Sequence, residues 1–392
     1  MSKTTRKEML PRMRERYLRR GKKGKKVMID DLCDQCNYSR KHAIKLLNAK
    51  AGWGGDPQKR KGRPPRYGKD TEKIVLKLWQ VSEQPCGKRL KAMVPLWLPY
   101  YEKMYGQLKE SIQEQVLSIS AAQIDRILSP HKVMKGRCGT KPGSILKTQI
   151  PIRTDNWDAT QPGFLEADTV AHCGGSLAGD HIWSVTYTDI FSGWTVNRGV
   201  WNKGADGIVK ATQSMEELLP FEILGFDCDN GSEFLNQHLI RYFQERPKKV
   251  GFTRSRPYHK NDNAHVEQKN WTHVRQLFGY DRFEDIELLV LMNEIYCDQW
   301  ELLNNFFKPC MKLTSKERHG SKIKKRYDKP LTPCDRLLQS KHISEETKNT
   351  LQAKRESLNP IELSQQLEQK LRAFHSLIRL KRSKESLDFV QK

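Results

Sequence analysis

"HIWSVTYTDIFSGWTVNRGVW", residues 181–201, is the stretch that decides the fold. Two runs rich in Val, Ile, Thr, Tyr and Trp flank a Ser-Gly turn, the composition of two paired strands. Immediately upstream, "GFLEADTVAHC" (163–173) has the same character and predicts another strand. Downstream the period changes. "ADGIVKATQSMEELLPF" (205–221) predicts an amphipathic helix, and "EILGFDCDNG" (222–231) a strand ending in a turn. "NQHLIRYFQERPKK" (236–249), "VGFTRSRPYH" (250–259) and "NDNAHVEQKNWTHVRQLFG" (261–279) then predict helix, strand and helix. The order βββαβαβα implies a mixed α/β sheet covered by helices.

Carboxylates fall where strands end and helices begin, the usual place for a site in an α/β sheet. Asp168 lies within the first strand, where Phe164, Glu166 and Asp168 alternate onto one face. Asp229 closes the fourth strand, just before Asn230-Gly231, and Glu267 stands in the first turns of the last helix. Asp227 points to the same side as Asp229, and Glu166 to the same side as Asp168, so each is an alternative ligand. Asp189 is expected to shape a turn, Glu233 to open a helix, and Asn263 to cap the last helix. His172 is expected to be structural. Lys269, Asn270 and Arg275 follow Glu267 along its helix, where they either touch DNA or face water.

"EADTV", "DCDNGSEF" and "YHKNDNAHVEQKNW" together resemble the three catalytic boxes of DDE transposases of the retroviral-integrase-like superfamily. The nearest likeness is to bacterial insertion-sequence transposases with an integrase catalytic core and helix-turn-helix front ends. It covers residues 160–280, and more loosely "NFFKPCMKL" and "RYDKPLTPCDRLL" further on. Thirty-seven residues separate Asp229 from Glu267, slightly more than that family's usual spacing. The Asn-Gly after Asp229 matches the family box and favours it over Asp227.

The resemblance implies a ribonuclease-H-like catalytic core. It also implies a DNA transposase/integrase that binds element ends and catalyses Mg²⁺-dependent strand cleavage and strand transfer into target DNA. Two Mg²⁺ ions about 4 Å apart suit in-line displacement at a phosphodiester. Such ions take oxygen ligands and keep much of their water, so few carboxylates suffice. By the same resemblance Asp168 bridges the metals while Asp229 and Glu267 hold one each, and Mn²⁺ can substitute. Double-stranded DNA is the implied partner, bound as a homo-oligomer. Two other readings are a DNA-binding regulator with an inactive integrase-like core and a hydrolysis-only ribonuclease-H-like nuclease.

Composition agrees with a polyanionic partner. The formal net charge is +24 over 392 residues, and residues 1–66 hold 21 Lys+Arg against 6 Asp+Glu. No long apolar run predicts a membrane span, and the basic N-terminus lacks the apolar segment of a secretory signal. Nine scattered cysteines fit a reduced, cytoplasmic protein rather than a disulfide framework.

Residues 25–50 predict two short helices joined at "NYS", with Asp30 or Asp31 capping the first and Ser39 the second. Arg40, Lys41 and Lys45 face outward, as in a helix-turn-helix presented to DNA. Cys33 and Cys36 form a CxxC, but without a second ligand pair they are expected to be buried thiols rather than a zinc site. Arg63 and Arg66 lie in "KGRPPR", which can act as a minor-groove arm.

The expected domains are a basic helix-turn-helix over 1–52, a linker over 53–68, and a second helical region over 69–130, which is either a helix-turn-helix-like module or a helical core that merely packs. A linker over 131–158, the catalytic core over 159–280 and a smaller helical and basic C-terminal region over 281–392 follow. In that last region residues 312–338 read as basic loops able to line target DNA. The final amphipathic helix serves oligomerisation or docks on its own domain.

Overall fold

The computed structural model describes residues 3–48, 66–132, 159–202, 204–228, 237–254, 264–319 and 322–390. They fall into two compact units, Met1–Gly68 and Lys69–Lys392.

The first unit contains α1 (Lys3–Leu18), α2 (Lys22–Cys36) and α3 (Arg40–Leu47). Tyr17, Met28, Ile29, Leu32, Cys36, Ala43 and Leu47 form its core, with Leu10 and Met13 packed against it. Leu10, Met13 and Tyr17 recur at helical spacing, which turns the basic N-terminal stretch into a third packed helix. Gly21, not Asp30 or Asp31, is the N-cap of α2, so both aspartates lie mid-helix. Asn37 takes a left-handed conformation (φ 53°) that turns the chain. Ser39 caps α3 as expected, its hydroxyl accepting the His42 N–H at 3.4 Å.

The second unit opens with α4 (Lys69–Val81), α5 (Gly87–Tyr105), α6 (Glu110–Ser118) and α7 (Ala121–Leu128). Ser120 rather than Ser118 caps α7. These helices do not stand apart as a separate module. The Trp97 indole donates to the Phe307 carbonyl at 3.0 Å and Arg89 to the Pro309 carbonyl at 2.7 Å. Burial of Leu90, Met93, Val94, Trp97 and Leu98 along α5 explains why the module folds onto the C-terminal helices.

The sheet has the strand order β3-β2-β1-β4-β5. Strands β1 (Phe164–Ala171), β2 (Ile182–Asp189) and β3 (Thr195–Trp201) form an antiparallel meander. Helix α8 (Ala205–Glu216) then leads to β4 (Gly225–Cys228), parallel to β1, and α9 (Gln237–Gln244) to β5 (Gly251–Arg254), parallel to β4. This is the predicted βββαβαβα order, a mixed sheet with helices consistent with a ribonuclease-H-like core.

Strand alternation gives the sheet two unlike faces. Leu165, Ala167, Val185, Tyr187, Val196 and Phe226 are buried on one. There the Phe226 ring lies 4.7 Å from that of Phe243 on α9, and the Tyr187 hydroxyl bonds Thr212 on α8 at 3.0 Å. The other face carries Glu166, Asp168, Thr186, Thr188, Thr195, Asn197 and Asp227. Helix α10 (Ala264–Lys269) covers it, continuing as a π-helical segment (Asn270–Arg275) into α11 (Gln276–Phe278).

The free edge of β3 is closed by side chains of one later helical run. It comprises α12 (Ile286–Glu294) and two π-helical segments, Ile295–Trp300 and Leu303–Phe307. Asn293 bonds both the N–H and the carbonyl of Gly199, and Asn305 those of Thr195. Glu301 accepts the Asn197 N–H at 2.9 Å. The edge main chain is thereby satisfied without another strand. A Cβ at Gly199 would stand 2.8 Å from Leu289 Cδ1, so that leucine side chain would have to shift to admit one.

A two-stranded ribbon follows, β6 (Leu313–His319) with β7 (Lys322–Tyr327), where basic loops were expected. Helices α13 (Pro333–Leu338), α14 (Glu345–Ser357) and α15 (Pro360–Val390) complete the unit. Helix α15 docks on its own unit: Ile361, Leu367, Phe374 and Ile378 are buried, and the Phe374 ring is 4.9 Å from that of Phe278. No disulfide joins the eight described cysteines. Among the described residues no helix is long and apolar enough to cross a membrane.

Candidate active site

The polar face is organised in rows by strand register. Glu166 pairs with Thr188 on one side and Asp227 on the other, and Asp227 with Thr253. In the next row Asp168 pairs with Thr186, and Thr186 with Asn197. Ala167 pairs with Cys228, and the residues that follow them in sequence are Asp168 and Asp229. Asp229 itself lies outside the described residues, as do Glu233, Asn263 and Arg63.

Each described carboxylate here has a distinct partner. Asp168, half-buried, accepts the Thr169 N–H at 2.8 Å and the Asn270 side-chain amide at 2.6 Å. Asp227 accepts the Thr253 hydroxyl at 2.8 Å. Glu166 is buried and accepts the Val266 N–H at 3.0 Å, inside the first turn of α10. A carboxylate there compensates the positive helix end and ties the helix to β1. Glu166 therefore has a structural task that sequence alternation alone did not reveal. Glu267 lies on α10, one turn before Asn270; its side chain is outside the described part.

The three residues that follow Glu267 separate. Asn270 reaches Asp168, and its Oδ1 is buried without a hydrogen-bond partner among the described residues. Lys269 turns inward, its Nζ 3.5 Å from both the Gly193 carbonyl and His273 Nε2, and burial lowers its pKa. Arg275 donates to the Ala171 and Gly279 carbonyls and stacks over Tyr280. Lys269 and Arg275, expected at DNA, are thus engaged by protein groups because α10 and α11 pack face-down on the sheet.

A buried network supports this helix. His273 Nδ1 donates to Asn197 Oδ1 at 3.2 Å, Nε2 faces Lys269, and burial holds the ring neutral, well below the ordinary imidazole range. The Asn197 amide donates to Thr186 at 2.9 Å. Nearby Arg198 and Glu301 form a buried ion pair at 2.5 Å, and burial pushes Glu301 up to about 7.

Two further polar residues, Asp189 and His172, are structural, as expected. Asp189 is buried and accepts the Gly163 N–H, the Ser192 N–H and the Ser192 hydroxyl, which builds the β2–β3 turn as predicted. His172 stacks on Phe283 and bonds Ser184, and burial lowers it to about 3.

In the first unit Arg40, Lys41 and Lys45 are exposed on α3, and Arg40 is held by Asp30. Arg66 is exposed, its guanidinium 5.7 Å from the Tyr67 ring.

No family model matches the chain. The uncharacterized protein y4rM of Sinorhizobium fredii (strain NBRC 101917 / NGR234) is 34% identical over 342 residues, spanning 86% of this chain and 96% of y4rM. The chain belongs to the y4rM family. Among solved structures it is similar to the HTLV-2 integrase catalytic core domain in complex with magnesium. That likeness has 16% identity and a TM-score of 0.29, covering 38% of this chain and 89% of that one. It is also similar to the BIV integrase catalytic core domain, at 14% identity and a TM-score of 0.24, covering 30% and 70%. The order and directions of the strands, not these likenesses, define the core of this y4rM relative.

Proposed function

We propose that this protein is a DNA transposase/integrase, which binds element ends and catalyses divalent-metal-dependent strand cleavage and strand transfer. The observation that carries the reading is the junction of β1, β4 and α10. Asp168 follows Ala167, which pairs with Cys228 at the end of β4, the residue before Asp229 in sequence, and Asn270, one turn after Glu267, holds the Asp168 carboxylate.

The donor set at this corner fits a hard cation: carboxylates, a threonine hydroxyl and the Asn270 Oδ1, unpartnered among the described residues. Among the described residues no three His, Cys, Asp or Glu side chains converge to hold a metal ion, so a complete set would draw on Asp229 and Glu267. Asp168, Asp229 and Glu267 would hold Mg²⁺, or Mn²⁺ in its place. When bound, the metal supplies Lewis-acid polarisation of the phosphodiester and activation of the attacking oxygen.

The chain's own residues do the rest. The Asn270 amide fixes the rotamer of Asp168, and Glu166 pins the start of α10, so the three carboxylates keep one spacing. Arg40, Lys41 and Lys45 on α3 would face the major groove of the element end, and Arg63 and Arg66 the minor groove. Among the residues after Glu267, Asn270 would be the one to meet the DNA end. Pairing two ends calls for a homo-oligomer.

The test is incubation of the purified protein and Mg²⁺ with duplexes carrying the DNA that flanks its own gene. Joined strands are the expected product. Free cleaved ends alone would instead mean a hydrolytic nuclease. Specific binding without nicking under Mg²⁺ or Mn²⁺ would mean a regulator.

A further inference from the structure

The ribbon β6–β7 has no part in the site above, and it exposes described side chains on both faces. Leu313, Lys325 and Tyr327 are exposed on one face, Glu317, Lys324 and Arg326 on the other. A two-stranded ribbon alone is only marginally stable. This one is also strongly basic. Within its 15 residues Lys316, Arg318, Lys322, Lys324, Lys325 and Arg326 stand against Glu317 alone. The backbone register pairs Lys316 with Lys325.

Its base, by contrast, is fixed. Lys312 and Asp328 exchange hydrogen bonds, Arg336 bridges to Asp328 at 2.7 Å, and Lys312 Nζ reaches the Ile190 carbonyl at 2.5 Å. A clamped base under an exposed, strongly basic ribbon is an arm awaiting a polyanion.

The distribution of charge says which polyanion. A ribbon that lay flat on an anionic surface would gather its cations on one face. Here the register puts Lys316 and Lys325 on one face and Lys322, Lys324 and Arg326 on the other. A ribbon with its side chains is about 10 Å thick, and the major groove of duplex DNA is about 12 Å wide between its phosphate ridges. We infer that β6–β7 enters the major groove of double-stranded DNA edgewise, each face turned to one phosphate ridge. This rests on the reading of the protein as a DNA-processing enzyme, and names the arm that grips duplex without regard to sequence.

The test uses the full chain with metal chelated, so that binding is read apart from chemistry. Affinity for a short duplex of arbitrary sequence is followed across a salt series by fluorescence anisotropy. Each phosphate contact contributes about 0.9 to the slope of log K against log salt. Lys325→Ser on one face and Arg326→Ser on the other should each lower the slope by about 0.9. The variant K324S/K325S/R326S should lower it by about 2.7, with an unchanged thermal melt.

A fall for only one of the two single variants would mean flat docking and overturn the edgewise inference. An unchanged slope in all three, with wild type still binding, would remove the ribbon from DNA and leave the enzyme reading intact. Loss of binding to phosphatidylserine vesicles without loss on duplex would reassign the ribbon to membranes and overturn the inference. Failure of the wild type to bind any duplex would sink the enzyme reading itself.

Discussion

Two carboxylate environments, some strand residues apart on the same sheet, behave in opposite ways. Around Asp189 the three bonded donors hold backbone in place: the Ser192 N–H and hydroxyl within the β2–β3 turn, and the Gly163 N–H just before β1. Asp168 accepts one main-chain N–H, from Thr169, and the side-chain amide of Asn270 from the helix laid across the sheet, whose amide oxygen has no hydrogen-bond partner among the described residues. The first arrangement builds a fold. The second ties a strand carboxylate to the helix that carries Glu267, at the corner where the proposed metal site would lie. The partners of a buried or half-buried acid, more than its burial, separate the structural from the functional.

The largest effect expected from this contrast is on activity. Asp168→Asn should lower metal-dependent strand cleavage on the order of 10³-fold while leaving the melting temperature unchanged or raised, since it removes a like charge beside Glu166 and Asp227. Asp189→Asn, assayed in parallel, should spare far more of the activity of whatever protein remains folded. Equal activity losses from the two variants would erase the distinction.

Stability should invert that order. Asp189→Ala strands three buried donors and should cost about 3 kcal/mol in urea unfolding. A cost under about 1 kcal/mol would show that the turn does not depend on this carboxylate.

The buried histidines make stability depend on pH. His172 is lowered to about 3 and His273 well below its ordinary value, both by burial. The unfolded chain takes up these protons below about pH 6.5 while the folded chain refuses them. Stability should therefore fall as pH drops from about 6.5 toward 4, by about 1.4 kcal/mol per pH unit for each histidine. His172→Gln should flatten the slope by one histidine's share; an unaltered slope would mean that the ring is charged in the fold.

Smaller effects test the supports of the site. Asn270→Ala should reduce strand cleavage about tenfold, through the lost hydrogen bond to Asp168, with little change in substrate affinity. Lys269→Met should leave the salt dependence of DNA binding unchanged, because this cation faces Gly193 and His273. A lowered slope would place it at DNA after all.

Much of this was legible in the sequence. The β-branched runs of 163–201 and the helical periods after them predicted the strand order, and Asp189 and Ser39 took the places their turn and cap chemistry indicated. What escaped has physical reasons. Strand alternation places Glu166 beside Asp168 but cannot say that its carboxylate reaches across to the Val266 N–H. An apolar run over 286–307 predicts packing, yet the residues that close the β3 edge are its polar ones, Asn293, Glu301 and Asn305. Lys269 and Arg275 look like solvated helix residues until the helix is laid on the sheet. The β6–β7 ribbon lacked the apolar alternation of a half-buried strand, because it exposes side chains on both faces.

The central claim is that Asp168, Asp229 and Glu267 act as one metal-dependent set. The most direct test is strand transfer by the purified protein into target duplex with Mg²⁺, comparing wild type with Asp229→Asn. The account predicts joined product from the wild type and a loss on the order of 10³-fold in the variant, with duplex binding retained. Strand transfer by Asp229→Asn at the wild-type rate would contradict it.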